Sequence, residues 1–220
     1  MALNRICVVI PVRSVKRAES LVNSSPTECV ELRMDYLRGP TTSIVEAARA
    51  LARASLRNGL RIIVSMRSAR EGGHDERTPP ERVRILRELS SAFRNEATVD
   101  FELEDLKYAD ATCEDCLASI HYSETPVKST IKGAAEDAFT RGASVFKAVL
   151  PGEAPGEIAM AANLVASFQG RATAFTLGPY TVDSRVIALR LGAPFVFASH
   201  PEEPLPGIPS PREILLAYRS

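Results

Sequence analysis

The sequence predicts an α/β fold, a (β/α)8 TIM barrel. Three observations carry that expectation: eight short runs rich in β-branched residues, helical stretches alternating with them, and glycines where those helices would end. The first run is ICVVIPV (6–12), bracketed by Arg5 and Arg13 and lacking a small-residue cleavage site, so it reads as a strand and not as a signal peptide. CVELRMD (29–35) follows, then a helix over 43–58, then RIIVSMR (61–67). A helix over 79–95 leads to TVDFELE (98–104). The fourth unit is the weak one, because LKYADATCED (106–115) leaves room for only a short helix before CLASIHY (116–122). A helix over 128–142 precedes SVFKAVL (144–150), and RATAFTL (171–177) and PFVFASH (194–200) complete the eight. PEEPLPGIPSP (201–211) reads as the loop after strand eight, and the chain closes on a helix over 211–220. Gly59, Gly142, Gly170 and Gly192 each stand shortly before a strand, where helix C-caps fall. Eight repeats favour a closed barrel, with an open doubly wound sheet as the structural alternative.

Length and charge narrow the function. A chain of 220 residues that is 45% apolar can bury one sizeable core, so one domain over 1–220 is expected. Lys+Arg and Asp+Glu are both 27, which leaves no net field to attract nucleic acid or an anionic membrane. A small-molecule partner is expected instead. No stretch approaches the roughly 20 apolar residues that cross a bilayer, so the expectation is a soluble, cytoplasmic protein. Cys7 and Cys29 lie in strand-like runs, whereas Cys113 and Cys116 form a single CxxC with no second ligand pair at zinc-finger spacing. The cysteines are therefore expected to be buried thiols in a reducing compartment, and no metal site is expected.

Side chains alternate along a strand, and a barrel strand sends one face inward and the other toward the helices. In strand two Glu31, Arg33 and Asp35 share a face opposite Val30, Leu32 and Met34; in strand four Asp100 and Glu102 oppose Phe101 and Leu103. Strand three ends in Arg67, strand five in the neighbourhood of His121, and strand six carries Lys147 between Phe146 and Ala148. Ionisable groups thus converge on one interior. Lys147 alone among five lysines interrupts an apolar strand. Burying an ammonium is costly, and desolvation with neighbouring cations is expected to favour the free amine that attacks a carbonyl carbon. A buried ion-pair partner for Glu31 or Asp100 is the structural alternative. After strand three, RSAREGGHDERTPPER places paired glycines on the catalytic side, with Glu71 able to orient His121. Arg185, early in the helix after strand seven, could clamp a substrate carboxylate. The loop after strand eight is poor in glycine and carries two acidic residues, so a carboxylate substrate suits the site better than a phosphorylated one.

Six segments in order resemble type I 3-dehydroquinate dehydratase of the shikimate pathway. VELRMDYL (30–37) resembles the family's ElRxDyl, SMRSAREGG (65–73) its TxRxxxEGG, and VDFELE (99–104) its DxEl. ASIHYSETP (118–126) stands for SxHdFxxTP, FKAVLP (146–151) for the Schiff-base lysine strand, and LGPYTVDSR (177–185) for MGxxGxxSR. The resemblance implies a (β/α)8 barrel, no metal or organic cofactor, and a possible homodimer. It implies that Lys147 forms an imine with the C3 ketone of 3-dehydroquinate and that His121, held by Glu71, moves the C2 proton during syn elimination of water. Glu31, Arg33 and Arg67 would meet substrate hydroxyls and the polar mouth, and Arg185 the carboxylate. Two departures stand out: HYSETP replaces HDFxxTP, and PLPGI (204–208) replaces SAPGQ, so Pro204 and Ile208 occupy the places of a serine and a glutamine. Ser199 or Ser210 could substitute, or binding is looser. An aldolase-type imine lyase would keep Lys147 but gives no reason for the ELR, EGG and DSR set. A catalytically dead barrel scaffold is the alternative outside enzymes.

Overall fold

In the computed structural model, which describes residues 3–93, 96–108 and 116–220, eight strands lie parallel in the order β7-β6-β5-β4-β3-β2-β1-β8. They are β1 (Ile6–Pro11), β2 (Cys29–Arg33), β3 (Arg61–Ser65), β4 (Thr98–Glu102), β5 (Leu117–His121), β6 (Val145–Leu150), β7 (Ala172–Thr176) and β8 (Val196–Ser199). The helices are α1 (Val15–Asn23), α2 (Thr41–Arg57), α3 (Pro79–Phe93), α4 (Lys128–Thr140), α5 (Pro155–Ser167), α6 (Thr181–Arg190) and α7 (Pro211–Arg219). Among the described residues the fourth unit has a 3-10 turn, Asp105–Tyr108. Residues 109–115, including Cys113 of the CxxC, and 94–95 at the end of the helix expected over 79–95 lie outside the described residues.

Alternation along each strand produces two apolar layers. Val8, Ile10, Val30, Leu32, Val64, Phe146 and Ala148 face outward and pack under the helices. Cys7, Val9, Cys29, Ile63, Leu117, Val149, Phe175 and Phe197 fill the barrel interior. Gly59, Gly142, Gly170 and Gly192 all have positive φ (69°, 95°, 74° and 94°), the left-handed C-cap conformation expected of them.

The ring is nearly closed. β7 and β8 are neighbours without a strand ladder, and Thr173 Oγ1 crosses the seam by donating to Phe195 O at 2.6 Å. The expectation of reduced thiols is corrected at every described cysteine: Cys116 is disulfide-bonded, and Cys7 and Cys29 form a disulfide in the barrel interior. The cause of the Cys7–Cys29 bond is register. The two residues are direct partners on adjacent parallel strands, with Cα atoms 4.4 Å apart and both side chains turned inward.

Candidate active site

Strand register carries the chemistry to one end of the barrel. Lys147 pairs with Ser119 and Thr173 across β5, β6 and β7, and Ser119 pairs with Glu102. Above this layer a cavity of about 460 Å³ opens, and all seven expected site residues line it: Glu31, Arg33, Arg67, Glu71, His121, Lys147 and Arg185.

Lys147 is buried, with Nζ 2.8 Å from Asp100 Oδ2, 3.7 Å from Glu31 Oε1 and 4.4 Å from the centroid of the Phe197 ring. Its nearest ionic neighbours are carboxylates, and the expected neighbouring cation is Arg67, whose Nη2 shares Asp100 Oδ2 with it at 3.1 Å. Burial opposes ionisation of Asp100, yet the Lys147 and Arg67 cations outweigh it and hold its carboxyl below the usual range.

Arg67 is the hub between the lysine and the histidine. Nη2 donates to Asp100 Oδ2 (3.1 Å), and Nη1 donates to Glu71 Oε2 (3.0 Å), Ser119 Oγ (3.0 Å) and Glu102 Oε1 (3.3 Å). Burial disfavours its charge, but Asp100, Glu71 and Glu102 more than compensate. The guanidinium lines the cavity while most of its donors are spent inside the protein, so it organises the site more than it reaches a ligand. Glu102 is fixed from behind by Arg82, 3.2 Å away.

The EGG turn presents Glu71 from above. Gly72 caps a 3-10 turn (Ala69–Glu71) at φ 80°, and a Cβ on Gly73 would lie 2.2 Å from Arg67 O, so the second glycine is required for close backbone approach. Glu71 Oε2 lies 2.9 Å from His121 Nδ1 and accepts the His121 backbone N–H at 3.0 Å. Burial pushes the Glu71 carboxyl up to about 8 against the pull of Arg67. Burial, then Arg67, Lys147 and Arg33, hold His121 well below its ordinary value. Between those limits the pair carries one proton.

Arg33 forms a two-pronged pair with Asp35, both contacts 2.8 Å. Arg185 has a different environment. Nε donates to Phe197 O (2.7 Å), Nη1 to Thr176 O (2.9 Å) and Thr181 O (2.8 Å), and the guanidinium stacks 4.1 Å from the Phe175 centroid. No carboxylate among the described residues pairs with it, and burial alone lowers it to about 9.

The loop after β8 supplies Leu205, Pro206 and Ile208 to the cavity wall. It is pinned at several points: Ser199 Oγ donates to Ile208 O (2.8 Å), Thr181 Oγ1 to Gly207 O (3.2 Å), and Arg13 and Arg17 pair with Glu203 at 3.2 and 3.3 Å. Ser199 is thus spent on the loop and Ser210 caps α7, so neither replaces the expected loop serine in the cavity.

Against this geometry, the family model for type I 3-dehydroquinase matches residues 6–220. The chain belongs to the type I 3-dehydroquinase family.

A 3-dehydroquinate dehydratase of Aeropyrum pernix is 44% identical over 217 residues, covering 99% of this chain and 96% of that protein. Among solved structures, 3-dehydroquinate dehydratase from Geobacillus kaustophilus aligns with a TM-score of 0.81 at 18% identity, over 98% of this chain and 90% of that one. A type I enzyme from Clostridium difficile carrying covalently modified comenic acid also reaches 0.81, at 16% identity, over 100% and 92% of the two chains. These structural likenesses support the (β/α)8 barrel over an open sheet. In this type I 3-dehydroquinase, Asp100 and Ser119 lie beneath the cavity and hold Lys147 and Arg67, roles that the sequence motifs did not assign to them. Their interior positions on β4 and β5 were readable from alternation, whereas their contacts depend on register.

Proposed function

We propose that this chain is a 3-dehydroquinate dehydratase that eliminates water from 3-dehydroquinate through an imine on Lys147. The observation that carries the proposal is the meeting, around one cavity, of a buried lysine, a carboxylate-held histidine and a buried arginine that no carboxylate among the described residues neutralises. Lys147 Nζ attacks the C3 carbonyl, the carbonyl oxygen leaves as water, and a protonated imine results. His121 takes a proton from C2; the imine accepts the electron pair as an enamine, which is the low-energy route around a bare carbanion. The enamine then expels the C1 hydroxyl, which His121 protonates on the same face, and water releases 3-dehydroshikimate. Glu71 holds the imidazole by Nδ1 so that Nε2 is the working nitrogen. Arg185 takes the carboxylate, and Glu31 and Arg33 meet the ring hydroxyls, with Arg67 setting the polar floor.

This route uses no metal or organic cofactor. Its partner is a small molecule, its setting is the cytoplasm, and a homodimer is the expected assembly, to be checked by molar mass in solution. Among the described residues no helix is long and apolar enough to cross a membrane.

The test is borohydride reduction in the presence of 3-dehydroquinate, followed by peptide mass mapping. An adduct on Lys147, absent in Lys147→Ala and retained in a slow His121→Ala variant, supports the proposal. A folded wild-type protein that neither gains mass nor turns over would leave the scaffold alternative standing.

A further inference from the structure

Imine chemistry changes what the lysine nitrogen can hold. The ammonium has three N–H groups and a charge of +1; on condensation two protons leave with the carbonyl oxygen as water. The product, a protonated imine, keeps the +1 charge but has one N–H. In the resting site two carboxylates attend this nitrogen, Asp100 at 2.8 Å and Glu31 at 3.7 Å. After condensation the charge still needs a counter-ion, but there is one hydrogen bond to give.

We propose that Asp100 is the counter-ion of the protonated imine and that Glu31 is released from the nitrogen to the substrate. This rests on the imine at Lys147 proposed above. Asp100 is the shorter contact, and it cannot follow the substrate, because β4 is laddered on both sides of it, to Ser65 and Leu117, and Arg67 Nη2 grips its Oδ2 at 3.1 Å. Asp100 is 2% exposed, and its other oxygen, Oδ1, is buried and meets no donor in hydrogen-bond geometry among the described residues, the Ser119 hydroxyl being the neighbouring group that helps hold the carboxyl ionised. A buried carboxylate oxygen without a donor is costly and calls for a use. When the tetrahedral nitrogen becomes planar, its remaining N–H points in a new direction, and Oδ1 offers a second acceptor beside Oδ2 for it. The flanking cations hold Asp100 ionised, which leaves proton transfer to His121 and makes Asp100 a fixed charge.

The probe is 3-dehydroshikimate, whose conjugated ketone gives a conjugated imine with Lys147. Its protonated form absorbs at longer wavelength than its neutral form, so absorbance against pH reads the imine proton directly. In the wild type the imine stays protonated through neutral pH into the alkaline range. In Asp100→Asn the titration moves at least about one pH unit lower, a tenfold change in protonation, and kcat falls about a hundredfold. Asp100→Glu, which keeps the charge, restores most of the wild-type titration. Glu31→Gln raises KM while leaving the titration near that of the wild type. A wild-type imine that already loses its proton at or below neutral pH overturns the proposal even if Asp100→Asn fails to fold. So does an equal shift in Glu31→Gln and Asp100→Asn. Wild-type protein that yields no borohydride adduct removes the imine reading itself, whereas a normal adduct whose titration ignores residue 100 removes only the counter-ion.

Discussion

Arg185→Met separates a binding cation from a structural one. In the free protein two effects oppose each other. Lowering the guanidinium from its ordinary value to about 9 corresponds to roughly 5 kcal/mol of unfavourable burial, which the methionine removes. Against this, the carbonyls of Phe197, Thr176 and Thr181 lose their donor, at about 1–3 kcal/mol each. The two effects largely cancel, so the free variant should unfold within about 4 kcal/mol of the wild type. With a carboxylate ligand the balance is lost, because the guanidinium no longer supplies the counter-charge. Removing one partner of a buried charge pair costs about 2–5 kcal/mol, so kcat/KM should fall from roughly thirtyfold to several thousandfold. Thermal unfolding gives an independent readout. At a ligand concentration about 100 times Kd the wild type gains about 2.7 kcal/mol, or roughly 5–11 °C for a chain of this size. Arg185→Met should gain almost nothing at the same concentration. If kcat/KM stays within about threefold of the wild type and the ligand shift survives, Arg185 only bolts the β7–β8 seam and the carboxylate lies elsewhere.

Three further outcomes follow from the same site. Because Glu71 is pushed up to about 8, the Glu71–His121 pair sheds its shared proton as pH rises through that value, leaving Nε2 free as a base. kcat/KM should therefore climb through about pH 8, and in Glu71→Gln the limb should move to lower pH with kcat down about a hundredfold; an unmoved limb contradicts the pairing. Arg67→Met strands Asp100, Glu71 and Glu102 and should cost roughly 3–5 kcal/mol in urea unfolding near neutral pH. Carboxyls stranded this way have raised folded-state values, so they favour the native state at low pH and lose that benefit as pH rises. The deficit should shrink from pH 8 to pH 5; growth on acidification is the opposing result. The Cys7–Cys29 bridge is buried at 0% and 2% exposure, so a thiol reductant should open it only when denaturant is present, as read by alkylation and mass. The Cys7→Ala/Cys29→Ala double variant should lose about 3 kcal/mol, the loop-closure value for a separation of this length.

The barrel was legible in the sequence because its two signals are local. β-Branched runs and C-cap glycines are each written within a few residues, and alternation sorted Glu31, Asp100, Glu102 and Lys147 inward without knowledge of their partners. Long-range placement was less legible. Lys147 stood out by type, but its carboxylate neighbours depend on how β2 and β4 register against β6 through the ring. The Cys7–Cys29 bond is the same lesson: both residues read as strand thiols, and only the Cys7 to Cys29 register brings their side chains together. Arg185 was identified early in its helix, yet the absence of a carboxylate beside it is a property of the β7–β8 seam that no motif encodes. Ile208 departs visibly from the family pattern, while the pinning of its loop by Thr181, Arg13 and Arg17 joins segments far apart in the chain.

The disulfide and the unladdered seam together make the ring of strands mechanically unequal. Cys7 and Cys29 enclose all of β1 after Ile6, α1 and the approach to β2 in a covalent loop, and they lie two residues below Val9 and Glu31 on the same inward face. The weakest circumferential joint lies between β7 and β8, held by side chains instead of a ladder. When the barrel loosens, the opening therefore runs from that joint, and β1 with β2 is the last pair able to part. The wall bearing Glu31 is kept as a stitched hem from which the remaining strands can re-form.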